Sequence, residues 1–214
     1  MIQLIIIIWY NDNLYKYRNY TDSTQKRQNR DKMIKHTEKV KSSFKGTIID
    51  IETIGNFRND FSDSRRYQEI VPVIFGFIRN EELTIFCAKG KDSIEQLKII
   101  IKEIIQNLDP PFYAFNSVFE KGTLYHHLGN KIEFKRELNK DKYESKLSAV
   151  RSLGISNYDD PFNDNGKLCM NAWLNGKLKE AISHNRACLL KEREILLKRG
   201  FREPDKLEFA KLNS

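Results

Sequence analysis

With 214 residues, 40% of them hydrophobic and 31% charged, the chain can bury one sizeable core, and collagen-like and low-complexity classes are excluded. Its three cysteines, Cys87, Cys169 and Cys188, are widely spaced and form no CxxC pair, which excludes a disulfide framework and a zinc ribbon and makes a reducing, cytoplasmic interior the expected setting. The net charge of +8 is local: ten Lys and Arg against three Asp and Glu lie between Tyr15 and Gly46, whereas residues 47–214 carry 27 cations and 25 anions. The total charge alone therefore does not establish a nucleic-acid partner.

The apolar start, IQLIIIIWY (Ile2 to Tyr10), is too short to span a bilayer as a helix and lacks the cationic lead and cleavage site of a signal peptide, so no membrane partner is expected. It suits an added edge strand or a partner contact. Alternatively, translation begins at Met33. Residues 11 to 45 are polar and basic and read as a flexible or weakly helical tail. Residues 1–45 thus form one segment and 46–214 one folded domain, with order beginning at Gly46.

The run GTIIDIET is rich in β-branched residues and predicts a strand. Residues 55 to 71 predict a loop. VPVIFGFIRN and ELTIFCAK predict a hairpin turning at Asn80, Glu81 and Glu82. In DSIEQLKIIIKEIIQNL, Ser93 with Gln96 suggests a capping box, and Ile94, Leu97, Ile101, Ile104 and Leu108 recur at helical spacing. PFYAFN predicts a short strand, and SVFEKGTLYHHLG a helix N-capped by Asn116 and closed by Gly129. The charged stretch 130 to 168 predicts one or two short helices, including KYESKLSAVRSLG, and the polar loop NYDDPFNDNGK. A long helical pattern follows from Met170 to Arg199, broken near Gly176. This order of strands and helices gives an α/β domain.

Three segments carry candidate chemistry. Asp50 and Glu52 lie two apart on a strand and share a face; burying both is costly unless a hard divalent cation is bound, and the alternative is a solvated edge. Glu120 follows Asn116 and Phe119 at the start of a helix, at the C-terminal end of a strand, either as a site acid or as a carboxylate stabilised by the helix dipole. His184, Cys188 and Glu192 are successive turns of one helix face, as ligands or as a surface His, a buried Cys and a solvated Glu. His126 and His127 are adjacent and cannot chelate one ion, the cysteines lack metal spacing, and Asp159, Asp160 and Asp164 fit a solvated turn.

In order and spacing, DIET, FNSVFEKGTL and HNRACLLKE resemble the three motifs of the YprB-type ribonuclease-H-like domains of the DEDD exonuclease superfamily, over roughly residues 46 to 200. The resemblance implies a ribonuclease-H-like mixed sheet flanked by helices. It also implies two Mg²⁺ or Mn²⁺ ions and hydrolysis of phosphodiester bonds at a single-stranded DNA or RNA 3′ end. Asp50, Glu52 and Glu120 would hold the ions, with His184 orienting or deprotonating water and Asn116, Phe119 and Asn185 facing the nucleic acid. Cys188 stands where the third motif has Asp. A neutral thiol is a poor ligand for Mg²⁺, so a weakened second ion is expected, with Glu192 as a possible substitute. The competing expectation is a catalytically degenerate nucleic-acid-binding domain.

Overall fold

A computed structural model of the protein describes residues 33–41, 43–129 and 131–211. The apolar start and most of the basic tail lie outside the described residues. Six strands form one sheet: β1 (Met33–Lys39), β2 (Thr47–Ile54), β3 (Val71–Arg79), β4 (Glu82–Ala88), β5 (Phe112–Ala114) and β6 (Phe134–Glu137). Their order is β1-β4-β3-β2-β5-β6. The β1/β4, β4/β3 and β3/β2 pairs are antiparallel, and β2/β5 and β5/β6 are parallel. The helices are α1 (Ile94–Ile105), α2 (Ser117–Leu128), α3 (Lys146–Ser152), α4 (Gly166–Leu174) and α5 (Leu178–Arg199). The domain is therefore α/β, a mixed sheet flanked by helices. Among the described residues no helix is long and apolar enough to cross a membrane.

β2 is central because almost every side chain on it is buried, from Thr47 to Glu52. Such a continuous β-branched run pairs on both edges rather than facing water. The hairpin from β3 to β4 turns at Asn80 and Glu81, with Asn80 at φ 54°. α1 buries Ile94, Leu97 and Ile101, as its spacing predicts, each contributing about 1.5–3 kcal/mol. Trp173 on α4 donates its indole N–H to the Ala88 carbonyl at 2.8 Å, tying α4 to the end of β4.

Several expectations are corrected. Order begins before Gly46: Met33–Lys39 is a strand on the edge of the sheet, paired with β4. Its hydropathy gives little sign of this, since backbone pairing and an Arg186–Glu38 ion pair at 2.8 Å hold it to α5 and β4. β6, with the sequence FKRE, was not expected as a strand; only Phe134 and Glu137 on it are buried. Ser93 does not form a box with Gln96; its hydroxyl instead donates to the Gly90 carbonyl at 2.7 Å and accepts the Gly90 amide at 3.0 Å. The long C-terminal pattern breaks at Gly176 (φ 73°) into α4 and α5, as expected, but it starts earlier, at Gly166.

α5 lies close to the sheet because of Gly76. Gly76 stands opposite Asp50 in the ladder, and a Cβ there would meet Asn185 Oδ1 at 2.1 Å and Leu189 Cδ1 at 2.7 Å. The close approach places α5 side chains within reach of the β2 carboxylates. Gly76→Ala should destabilise the protein by about 1–3 kcal/mol through overpacking. The expected outcome is a lowered denaturation midpoint in urea; an unchanged midpoint would mean that α5 gives way without cost.

Candidate metal centre

β2 presents Asp50 and Glu52 on one face, both buried, 6% and 8% exposed respectively. A register shift follows directly after Glu52 in the pairing with β3. β5, parallel to β2, ends just before α2, whose first turn carries Glu120, 4% exposed. Neighbouring parallel strands thus deliver acids to the same end of the sheet. α5 supplies His184, Cys188 and Glu192 on one face, all buried. Asp50, Glu52, Glu120, His184 and Cys188 line one cavity of about 300 Å³, together with Asn116, Phe119, Lys146 and Asp164. The carboxylate oxygens of Asp50 and Glu52 and the Cys188 sulfur lie within 4.8 Å of one another. Glu192 reaches the same place: its Oε1 is 2.7 Å from Lys146 Nζ, which also lies 2.9 Å from Asp50 Oδ1.

Several polar atoms here are unsatisfied. Glu120 Oε2 and Glu192 Oε2 are buried without a hydrogen-bond partner, and the Glu192–Lys146 contact lacks hydrogen-bond alignment. Orphaned carboxylate oxygens in a buried site are costly, and a hard cation is the ligand that relieves them. The chemistry of the donor set therefore fits a divalent ion. The same crowding raises the acids' pKa values. Burial lifts Glu52 to about 7, with Asp50 adding to it and His184 opposing. Burial, then Asp50 and Glu192, hold Glu120 well above the usual carboxylate range. Burial also raises Glu192 well above it, with Lys146 opposing. Burial works against the charge of Lys146, but Asp50 and Glu192 outweigh it and hold the ammonium firmly protonated.

Neither a protein-family model, nor a curated protein, nor a solved structure matches this chain. The geometry of the centre is accordingly what a functional reading rests on.

The surroundings of Asn185 and His184 are well defined. Asn185, expected to face nucleic acid, is fully buried; its amide donates to Asp50 Oδ2 at 2.7 Å and so orients that carboxylate. His184, expected to orient or deprotonate water, donates Nδ1–H to Asp160 Oδ1 at 2.7 Å, while its Nε2 lies 3.7 Å from Glu52 Oε1 and 3.7 Å from Cys188 Sγ. Burial opposes its charge, but the neighbouring acids raise its pKa. Cys188, lifted by burial to about 11, is a neutral thiol at pH 7, so Glu52 and Asp160 supply that negative charge. Nδ1 is thereby committed to Asp160, and Nε2 faces Glu52 and Cys188.

Five further residues belong to the centre or hold it. Lys146, at the start of α3, carried no signal in a highly charged stretch. Asp160 was read as part of a solvated turn, but it is 4% exposed and its carboxylate accepts four donors. Oδ1 takes Phe162 N–H at 2.9 Å and His184, while Oδ2 takes Asp164 N–H at 2.8 Å and Lys191 Nζ at 2.7 Å. Although burial raises it, these donors depress its pKa strongly. Lys191, fully buried, is shared with Asp164 at 2.8 Å. Glu137, on β6, accepts the Ser117 amide at 2.9 Å and the Ser117 hydroxyl at 2.5 Å. It thus takes the capping role expected of Asn116, whose side chain makes no cap bond. Cys169, dismissed on spacing, has its sulfur within 4.8 Å of Glu52 and His184, because α4 folds back on α5.

The Asp160 loop contains four non-glycine residues at positive φ, Tyr158, Asp159, Asn163 and Asp164, at 50–64°. Such backbone persists only where its surroundings over-determine it. Asp160→Asn removes the charge that balances Lys191 and the acceptor for His184. It should cost about 3 kcal/mol, the lower end for a broken buried pair, because Asp164 still faces Lys191. Chemical denaturation followed by far-UV circular dichroism measures this; a loss below about 1 kcal/mol would contradict the role given to Asp160.

Proposed function

We propose that this protein is a metal-dependent nuclease of ribonuclease-H-like fold, related to the DEDD exonucleases, that hydrolyses phosphodiester bonds of single-stranded DNA or RNA. One observation carries the reading: Asp50, Glu52 and Glu120 line one buried cavity, Glu192 reaches its Lys146, and oxygens of Glu120 and Glu192 are left without a hydrogen-bond partner. The 3′–5′ direction rests on the resemblance of the three motifs alone.

Mg²⁺ or Mn²⁺ held by Asp50, Glu52 and Glu120 would supply charge neutralisation at the phosphate and a hydroxide near neutral pH. Asn185 fixes the rotamer of Asp50. His184, braced by Asp160, fixes the position of Glu52. Glu192 takes the place of the acid that Cys188 does not provide. A groove of about 440 Å³ adjoins the centre and shares Glu52 and Phe119 with it; Phe57, Phe119 and Met170 give it an apolar wall and Lys167 a cation. Such a wall suits the stacking of a base, and the cation suits a phosphate.

A second reading is favoured by Lys146. Its ion pairs neutralise Asp50 and Glu192 without a metal, as in a domain that binds nucleic acid and does not cut it. End-labelled single strands incubated with the protein and Mg²⁺ or Mn²⁺ separate the two. Cleavage lost by more than about a hundredfold in Asp50→Ala supports the nuclease, since outer-sphere substitutions alone cost about 10–100-fold. Retarded but uncut strands support the second reading. Cys188→Asp is expected to raise Mg²⁺-dependent cleavage; an unchanged or lower rate would contradict the place given to Cys188.

A further inference from the structure

We infer that Lys146 is the second cation of this centre, and that the site takes one divalent ion rather than two. The inference rests on the metal-binding reading proposed above and deepens it. A two-ion centre sets two dications about 3.5–4 Å apart around a shared carboxylate. Asp50 is the acid placed to be shared, because it lies on the central strand facing both Glu52 and α5. Lys146 Nζ already stands 2.9 Å from Asp50 Oδ1 and 2.7 Å from Glu192 Oε1. It thus bridges the two acids that would hold a second ion.

The position is built rather than incidental. The Lys146 side chain is 16% exposed and Glu192 1% exposed, so the ion pair is shielded from water. The Lys146 ammonium lies 5.8 Å from the centre of the Phe115 ring, whose face adds attraction for a cation. Ser145 caps the helix that starts at Lys146 by accepting the Ser148 amide at 3.1 Å, which fixes where the lysine leaves the backbone. Cys188 stands beside the same acids. A neutral thiol there supplies no charge for a second hard dication, whereas the ammonium needs none from it. Cys188 and Lys146 are then two halves of one change: an acid is replaced by a thiol and a metal ion by an amine.

Glu120 Oε2 is left without a hydrogen-bond partner, and Asp50 Oδ2 accepts the neutral Asn185 amide. These oxygens, with Glu52, remain for a single ion. That ion and the ammonium would share the charge on a bound phosphate.

Isothermal titration of the full chain with Mn²⁺ alone tests this, with no dependence on catalysis. Wild type should bind one ion. Lys146→Met should bind two, because the vacated oxygens of Asp50 and Glu192 then accept a second, and an exchange-coupled Mn²⁺ resonance absent from wild type should appear. Lys146→Arg, which keeps the charge, should bind one and carries the test if the Met variant does not fold. Two ions in wild type, or two in Lys146→Arg, overturn the inference and leave the metal site standing. One ion in folded Lys146→Met, at unchanged affinity, overturns it as well. No binding in wild type or in any variant overturns both the inference and the metal reading beneath it.

Discussion

A carboxylate withdrawn from water without a compensating positive charge either protonates or destabilises the fold. This protein withdraws Asp50, Glu52, Glu120 and Glu192 to one place. The elevated pKa values of Glu52, Glu120 and Glu192 register the cost of that arrangement. Nothing in the packing of an α/β domain demands four acids there; aliphatic residues would serve the core better. The concentration of charge makes sense when a cation belongs among the acids, and much of the surrounding structure is organised to keep them together.

Two devices hold the arrangement. Gly76 lets α5 settle against β3 opposite Asp50, so that Asn185 reaches an oxygen on β2. The Asp160 loop then clamps the same helix from outside, through His184 and Lys191 two turns further along. One carboxylate with four donors thereby links the loop, the imidazole beside Glu52 and a fully buried lysine. On the other side of the centre, Glu137 of β6 caps α2 and fixes the turn that presents Glu120. Sheet, helix and loop converge, and each contact outside the cavity has a consequence inside it.

Much of this was legible in the sequence because periodicity reports burial. The β-branched run around Asp50, the apolar stripe of α1 and the one-turn spacing of His184, Cys188 and Glu192 translate directly into the faces they occupy. Asp50, Glu52 and Glu120 line one cavity, where their separate segments meet. What the sequence hid depends on tertiary pairing. β1 and β6 are held by ladder hydrogen bonds that a charged, weakly alternating sequence does not announce. Asp160 looks like an ordinary turn residue until His184 and Lys191 arrive from 24 and 31 residues away. Lys146 lies in a stretch dense with other charges, and only the closure of α3 onto the centre distinguishes it. Asn185 misled for the opposite reason: a polar residue beside expected ligands reads as a surface contact, while Gly76 makes room for it in the core.

The central claim is that these acids form a cation site rather than a self-neutralised cluster. An anomalous difference map from crystals soaked in Mn²⁺ tests it most directly. The account predicts a peak within about 2.1–2.3 Å of oxygens from both Asp50 and Glu120. A map with no peak in the cavity, or with manganese bound only at surface carboxylates, would contradict it.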